Sequence, residues 1–396
     1  MLGSTRFVNI AAGTLALCFS SLAISSGAPE LAEVDPAKLS YSFEKDLPNL
    51  SPAYIEPSPL GRRDGIEVAD LRSHTNASSD ILAFAKEAAA SKFGEYDSLL
   101  IAHKNKLVFE SYFRKGRVNL PHFQASVTKS HTALAVGRAI QLGYLSMDDL
   151  DKPVIQLLKG LDKSKLAKGV EHITLRKAMT MSSGLRIEEE ELRQLTRSAR
   201  ETKGSDIVQQ LLEATAAISP ESQSFLYQGV DLSIVMRVLE EVVPGSSMNF
   251  IDKELLSKLG ISVYRWRTDA NGVAIGASGS SITSRDMLKL GSLVLNDGQW
   301  KGDQLISKAF LNEATRKLTQ PTDDWIPDNY YYGFYWYPTD FTVNGKQITV
   351  DMAWGGGDQR IIVFKELDLI VVVTGATQEG TIMDQIAQVI FPAFDK

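Results

Sequence analysis

Alternation and periodicity divide this chain into a β-rich start, a helical middle and a β-rich end. Residues 99–103 and 107–112 are short apolar runs on either side of the polar turn Lys104-Asn105-Lys106, which predicts a β-hairpin. Ala133, Leu134, Val136, Ala139, Ile140 and Leu142 then recur at helical spacing, so 126–143 is expected to form a helix that Gly143 ends. Further helices are expected over 175–181, 205–217 and 231–243, the last closed by Pro244-Gly245. Another is expected over 284–296, with Ser284 as its cap. Toward the C-terminus, 347–352, 360–364 and 369–373 are β-rich, and 381–390 is helical in pattern. The expected architecture is α/β (α+β): an antiparallel sheet formed by N- and C-terminal segments, flanked by helices, with a mostly helical insertion over about residues 135–270.

Ahead of the hairpin, Pro48, Pro52, Pro57 and Pro59 crowd a polar stretch. Residues 26–78 are therefore expected to be an irregular lead-in that wraps the surface of a domain spanning 79–396. The first 25 residues have the pattern of a signal peptide. Arg6 supplies the positive start, residues 10–23 carry no charge, and Ala23, Ser25, Ser26 and Ala28 suit a signal peptidase. This predicts an exported protein, periplasmic or secreted. Two alternatives remain at this point. One is a retained anchor, against which the apolar stretch is shorter than the roughly twenty residues a span needs. The other is a lipoprotein at Cys18, against which Leu17 is bulkier than the small residue usual there. No other stretch is long and apolar enough to cross a membrane. Cys18 is the only cysteine, so the mature chain would have no disulfide, thiolate metal site or cysteine nucleophile. With 396 residues, 44% of them apolar, the chain can bury a large core. Its charge of −6 is mixed along the sequence, with no basic stripe suited to nucleic acid.

Candidate chemistry narrows to one place. No Gly-x-Ser-x-Gly elbow occurs, and the histidines (His74, His103, His122, His131 and His172) lack metal-ligand spacing, so no metal or organic cofactor is called for. Ser126-Val127-Thr128-Lys129 remains, at the start of the predicted helix. One helical turn puts the serine and lysine on the same face. A serine hydroxyl needs a base, and burial can turn a lysine into one. The helix N-terminus also aims N–H groups where an oxyanion would form. Taken alone, the tetrapeptide equally describes a capping serine beside a solvated lysine.

Its surroundings carry a resemblance. Ala125-Ser126-Val127-Thr128-Lys129-Ser130, continuing to Gly143-Tyr144-Leu145-Ser146-Met147-Asp148-Asp149, resembles the first motif of the serine β-lactamase and penicillin-binding superfamily. Ile173-Thr174-Leu175-Arg176 through Met179-Thr180-Met181-Ser182-Ser183-Gly184-Leu185 resembles the next landmark, and residues 278–291 with Thr283-Ser284-Arg285-Asp286 another. The match covers about residues 99–390 and is nearest the class C-like branch that holds family VIII esterases and 6-aminohexanoate-dimer hydrolases. It implies a β-lactamase-like fold and acyl transfer through Ser126, with Lys129 as base.

The same resemblance implies a tyrosine acting as acid and base, and Phe225-Leu226-Tyr227-Gln228-Gly229 supplies it in Tyr227. Gly229 stands where β-lactamases usually carry asparagine. The third motif, normally Lys-Thr-Gly, corresponds to Trp354-Gly355-Gly356-Gly357-Asp358-Gln359. One N–H among these glycines is expected to complete the oxyanion hole with that of Ser126, Gly357 being the first candidate. With Trp354 in place of the lysine that meets a substrate carboxylate, an uncharged ester or amide is favoured over a β-lactam or D-alanyl peptide. Trp325, Tyr330, Tyr331, Tyr332, Tyr335 and Trp336 are candidates for an aromatic wall, or for core. The competing class of function is a non-catalytic scaffold that binds a ligand or partner in the same cleft.

Overall fold

The computed structural model describes residues 27–378 and 380–395. The expected signal peptide and Cys18 lie outside them. Along the chain, the lead-in forms helix α1 (Tyr41–Asp46) and strands β1 (Tyr54–Glu56) and β2 (Glu67–Val68), followed by helix α2 (Ser78–Ala89). The hairpin follows as β3 (Tyr96–His103) and β4 (Lys106–Tyr112), then β5 (His122–Phe123) and the long helix α3 (Val127–Gln141). Lys104 and Asn105 have φ of 52° and 60°, the left-handed pair that matches a two-residue turn to the twist of its strands.

The helical insertion comprises α4 (Val154–Leu157), α5 (Leu175–Met179), α6 (Glu189–Glu201), α7 (Ile207–Ala214), α8 (Asp231–Val242) and α9 (Ser247–Phe250). The anticipated boundary at residue 135 falls inside α3, so the inserted helices begin after Gln141. The chain returns through β6 (Arg265–Trp266), β7 (Ser280–Ile282), α10 (Ser284–Leu295), the small hairpin β8 (Gln299–Trp300) and β9 (Asp303–Gln304), and α11 (Lys308–Ala314). It ends in β10 (Tyr337–Val343), β11 (Lys346–Gly355), β12 (Gln359–Phe364), β13 (Leu369–Gly375) and the short helices α12 (Ile382–Gln385) and α13 (Phe391–Phe394).

The main sheet has the order β1-β4-β3-β13-β12-β11-β10, with β2 also on β4. All its pairings are antiparallel except β2 with β4. The central seam joins β3 to β13, so both chain ends build one sheet. This is the sheet from both chain ends that the pattern predicts, and the β-lactamase-like arrangement that the resemblance implies. Helices α3 and α10 pack on one face, where Ile361 and Ile370 press against Gly291 of α10. Residues 127–139 of α3 are all buried, which makes it a core helix rather than a half-exposed one.

Two expectations need correction. The lead-in is not merely irregular: β1 and β2 hydrogen-bond to β4, which would otherwise be the open edge of the sheet. A buried ion cluster holds the lead-in there. Arg285 of α10 grips Glu110 of β4 through two bonds of 2.7 Å, and also bonds Asp64 at 2.8 Å and the carbonyl of Leu60 at 2.9 Å. The cap of α10 is Thr283, whose hydroxyl accepts from the Asp286 N–H at 3.1 Å. Ser284 is already helical, and its hydroxyl pairs with Ser98 at 2.7 Å.

Candidate active site

Ser126 stands at the junction between β5 and α3. Ala125 before it has φ 45°, a left-handed backbone that a Cβ disfavours and that rigid surroundings must impose. Ser126 makes no capping bond to its own helix, so its hydroxyl is left for other partners. Lys129 Nζ lies 2.9 Å from Ser126 Oγ and donates at 3.0 Å to the carbonyl of Ala277. Lys129 is only 5% exposed and has no carboxylate partner among the described residues. Neither half of the cap-and-solvated-lysine description fits this geometry. Burial, with no opposing charge, brings the lysine down from 10.5 to about 7. Much of it is therefore neutral at neutral pH, with a lone pair available to take a proton.

Tyr227 completes the cluster. Its ring lies 4.8 Å from Lys129 Nζ, and Ser126 and Tyr337 are the polar neighbours that act on its phenol. Burial raises the phenol, and the Ser126 and Tyr337 hydroxyls pull the other way. Asp231, at the start of α8, helps hold this region. Its carboxyl accepts from Ser183 at 2.6 Å and from Gln228 at 2.9 Å, while its other oxygen is buried with no partner. Burial raises it from 3.8 to about 7. Behind the nucleophile, Ser280 of β7 ties to Thr128 at 2.8 Å and to His131 at 3.2 Å. Burial takes His131 down to about 3, so it stays neutral.

The glycine run lies alongside Ser126. A Cβ on Gly355 would sit 2.6 Å from the carbonyl of Gln124, 2.9 Å from Val127 N and 3.0 Å from Ser126 N, so only glycine fits there. A Cβ on Gly356 would face Ala125 at 4.0 Å. Gly357 has φ 82°, bridges Thr377, and would direct a Cβ to the carbonyl of Gly375, away from the nucleophile. Gly355 is thus the glycine packed against the Ser126 N–H, and Gly356 faces Ala125.

Trp354 faces an aromatic group on one side of the site. It lies 5.5 Å from Trp325 and 5.7 Å from both Tyr330 and Tyr337, and Trp325 stands edge-on to Tyr227 at 5.1 Å. Trp325 is half exposed. The other candidates divide differently. Tyr332, Tyr335 and Trp336 are buried core, and Tyr331 lies under Lys317. Two participants had no sequence signal: the Ala277 carbonyl is backbone, and Tyr337 is hidden in a dense aromatic run. Among the described residues, no cluster of three or more His, Cys, Asp or Glu is arranged to hold a metal ion.

Comparison with known proteins places this geometry in a family. A family model for β-lactamases matches residues 94–389. No curated protein sequence matches significantly. Similar solved structures include a candidate 6-aminohexanoate-dimer hydrolase from Bacillus anthracis, 16% identical, with a TM-score of 0.60 and 84% of each chain covered. A penicillin-binding protein homologue from Caulobacter crescentus is 14% identical, with a TM-score of 0.61, over 80% of this chain and 97% of that one. A family VIII carboxylesterase is 14% identical, with a TM-score of 0.59, over 83% and 95%.

Proposed function

The chain belongs to the β-lactamase family of serine hydrolases, and on that premise we propose that it is an exported enzyme that cleaves a carboxylic ester or short amide through an acyl-enzyme on Ser126. The observation that carries this reading is the buried, carboxylate-free Lys129, 2.9 Å from the serine hydroxyl. Lys129 takes the Ser126 proton, directly or through Tyr227, as the oxygen attacks the carbonyl carbon. The tetrahedral oxyanion rests on the N–H of Ser126 and on one from the adjacent glycine run. Tyr227 passes a proton to the leaving group. Water then releases the acyl group by the reverse relay, which restores the Ser126 hydroxyl. An aromatic Trp354 in place of a cation supports ester or amide substrates over β-lactams.

Export rests on the first 28 residues of the sequence: Arg6, the uncharged stretch, and the small residues near Ala23 and Ala28.

The test is a fluorophosphonate probe followed by intact-mass spectrometry, together with turnover of p-nitrophenyl acetate, p-nitrophenyl butyrate and nitrocefin. One adduct on Ser126 with ester turnover is expected, and the Ser126→Ala variant should show neither. Labelling with fast nitrocefin turnover would favour a β-lactamase instead. Folded protein that neither labels nor turns over would point to a binding scaffold.

A further inference from the structure

Three arginines converge near the site without an acidic partner. Arg200 ends α6, Arg265 lies on β6 and Arg267 directly follows it. With Trp266, Thr268 and Ile275 they line a cavity of about 400 Å³. None of the three has a carboxylate within ion-pair distance among the described residues, although the chain carries 48 acidic against 42 basic residues. Arg265 donates to the carbonyl of Leu39. Arg267 donates at 3.2 Å to the carbonyl of Ser278 and lies 5.8 Å from the ring centre of Phe123, three residues before the nucleophile. Desolvation and the repulsion of Arg200 and Arg265 hold Arg267 below its ordinary value. Like charges gathered in this way favour a counter-charge supplied from outside.

A second cavity runs from this cluster to residues that flank Lys129 and Tyr227. It measures about 660 Å³, lies between α6, α8 and residues 269–278, and shares Arg200 and Ile275 with the first. Leu192, Val208, Leu232, Met236 and Val273 give it an apolar lining. Its acidic residues are Glu189, Asp206, Glu240 and Asp269; Arg193 pairs with Glu190 and Arg237 with Glu241, so among the described residues Arg200 is the lining arginine without a carboxylate partner. The lining also reaches Gly229 and Ala277. Ala277 is the residue whose carbonyl holds Lys129, and Gly229 lies two positions after Tyr227. A Cβ at Gly229 would touch that of Ala277 at 3.5 Å, so a larger side chain there would fill this end of the cavity. On the opposite side, Tyr227 engages Tyr337 and Trp325, so a leaving group that it protonates departs toward the aromatic residues.

We propose that the apolar cavity and the arginines beyond it form the acyl-side subsite, and that the substrate's acyl chain is apolar along its length and ends in a carboxylate. This rests on the reading of Ser126 as the nucleophile. The carboxylate pairs with Arg267 and its neighbours, whose guanidinium groups suit a two-point hydrogen bond. The positive charge absent from the glycine strand is thus supplied from the opposite wall.

Mono-p-nitrophenyl esters of four- to ten-carbon dicarboxylic acids, each paired with the p-nitrophenyl ester of the equally long monocarboxylic acid, test this. At the best chain length the acid-terminated ester should be preferred by about tenfold in kcat/KM, equivalent to one good charged contact. The preference should shrink at high salt. Arg267→Ala, and the double change with Arg265→Ala, should bring the ratio toward one through KM, while Arg267→Lys keeps part of it. Matching circular dichroism will show that each variant is folded. A ratio of one or less at every length in wild type, with the neutral esters turned over, overturns the proposal and leaves the arginines as solvated surface charge. So does a preference that survives Arg267→Ala. Failure of both ester series together with an unlabelled Ser126 would refute the hydrolase reading itself.

Discussion

Replacing Lys129 with methionine should destroy activity and stabilise the protein. Lys129 is held near 7 instead of 10.5 by burial alone. A fall of that size corresponds to about 5 kcal/mol of penalty on the charged form. Methionine fills a similar volume without charge, but leaves the Ala277 carbonyl short of a donor, at a cost of about 1–3 kcal/mol. The net gain is therefore about 2–4 kcal/mol wherever the wild-type lysine is protonated. For a chain of this length, per-residue unfolding entropies convert that into roughly 2–5 °C of Tm. The sign with pH is definite. The folded lysine titrates lower than the unfolded one, so the unfolded chain holds the extra proton between about pH 7 and 10.5, and wild-type stability rises through that window. The variant's advantage should be greatest at pH 6, vanish between about pH 8.5 and 10, and turn into a deficit of about 1–3 kcal/mol at pH 10.5. Scanning calorimetry at pH 6, 8 and 9.5 measures it, alongside the rate of fluorophosphonate labelling. In wild type that rate should rise with a midpoint near pH 7, and in the variant it should fall by about 10²–10⁴-fold. A variant less stable than wild type at pH 6, or an advantage that is flat with pH, would refute the reasoning.

Gly355→Ala places a Cβ against Ser126 N and Val127 N. It should lower kcat by about 10²-fold or more, read with p-nitrophenyl butyrate, by displacing the oxyanion donors. Asp231→Asn keeps an acceptor for Ser183 and Gln228. Because the native carboxyl titrates near 7 against 3.8 unfolded, its penalty appears as pH rises between those values, so the variant should be more stable by roughly 2–4 kcal/mol at pH 8.5 and show no gain at pH 4 in urea unfolding. Arg285→Ala leaves Glu110 buried without its cation and should cost about 3–5 kcal/mol, with trypsin cutting sooner within residues 27–78.

The hairpin, α3, α8 and α10 were legible because each carries a local rule: alternation around a polar turn, helical spacing, or a stop at Gly or Pro. Strand β10 was not, since the aromatic run ending in Tyr337-Pro338 shows no alternation of polarity. Helix α6 was missed for a related reason: Glu and Arg dominate Glu189–Glu201, and its apolar stripe is only Leu192, Leu195 and Ala199. Ser126, Lys129 and Tyr227 were legible as a motif, but the register of the glycine run was not. Adjacent glycines look alike in sequence, and only the approach of α3 distinguishes Gly355 from Gly357. The arginine cluster had no local signature, because residues 200, 265 and 267 meet only after the insertion has folded.

The seam between β3 and β13 also constrains the order of synthesis. Ser98 and Thr374 bond across it at 2.7 Å yet lie 276 positions apart. At roughly 5–20 residues per second, a ribosome that has made β3 needs about 15–55 s more to make its partner. Until then β3 has a bare edge, and the strands that complete the sheet do not exist. A chain in this condition cannot close its sheet during most of its synthesis, and β3 waits longest for its partner.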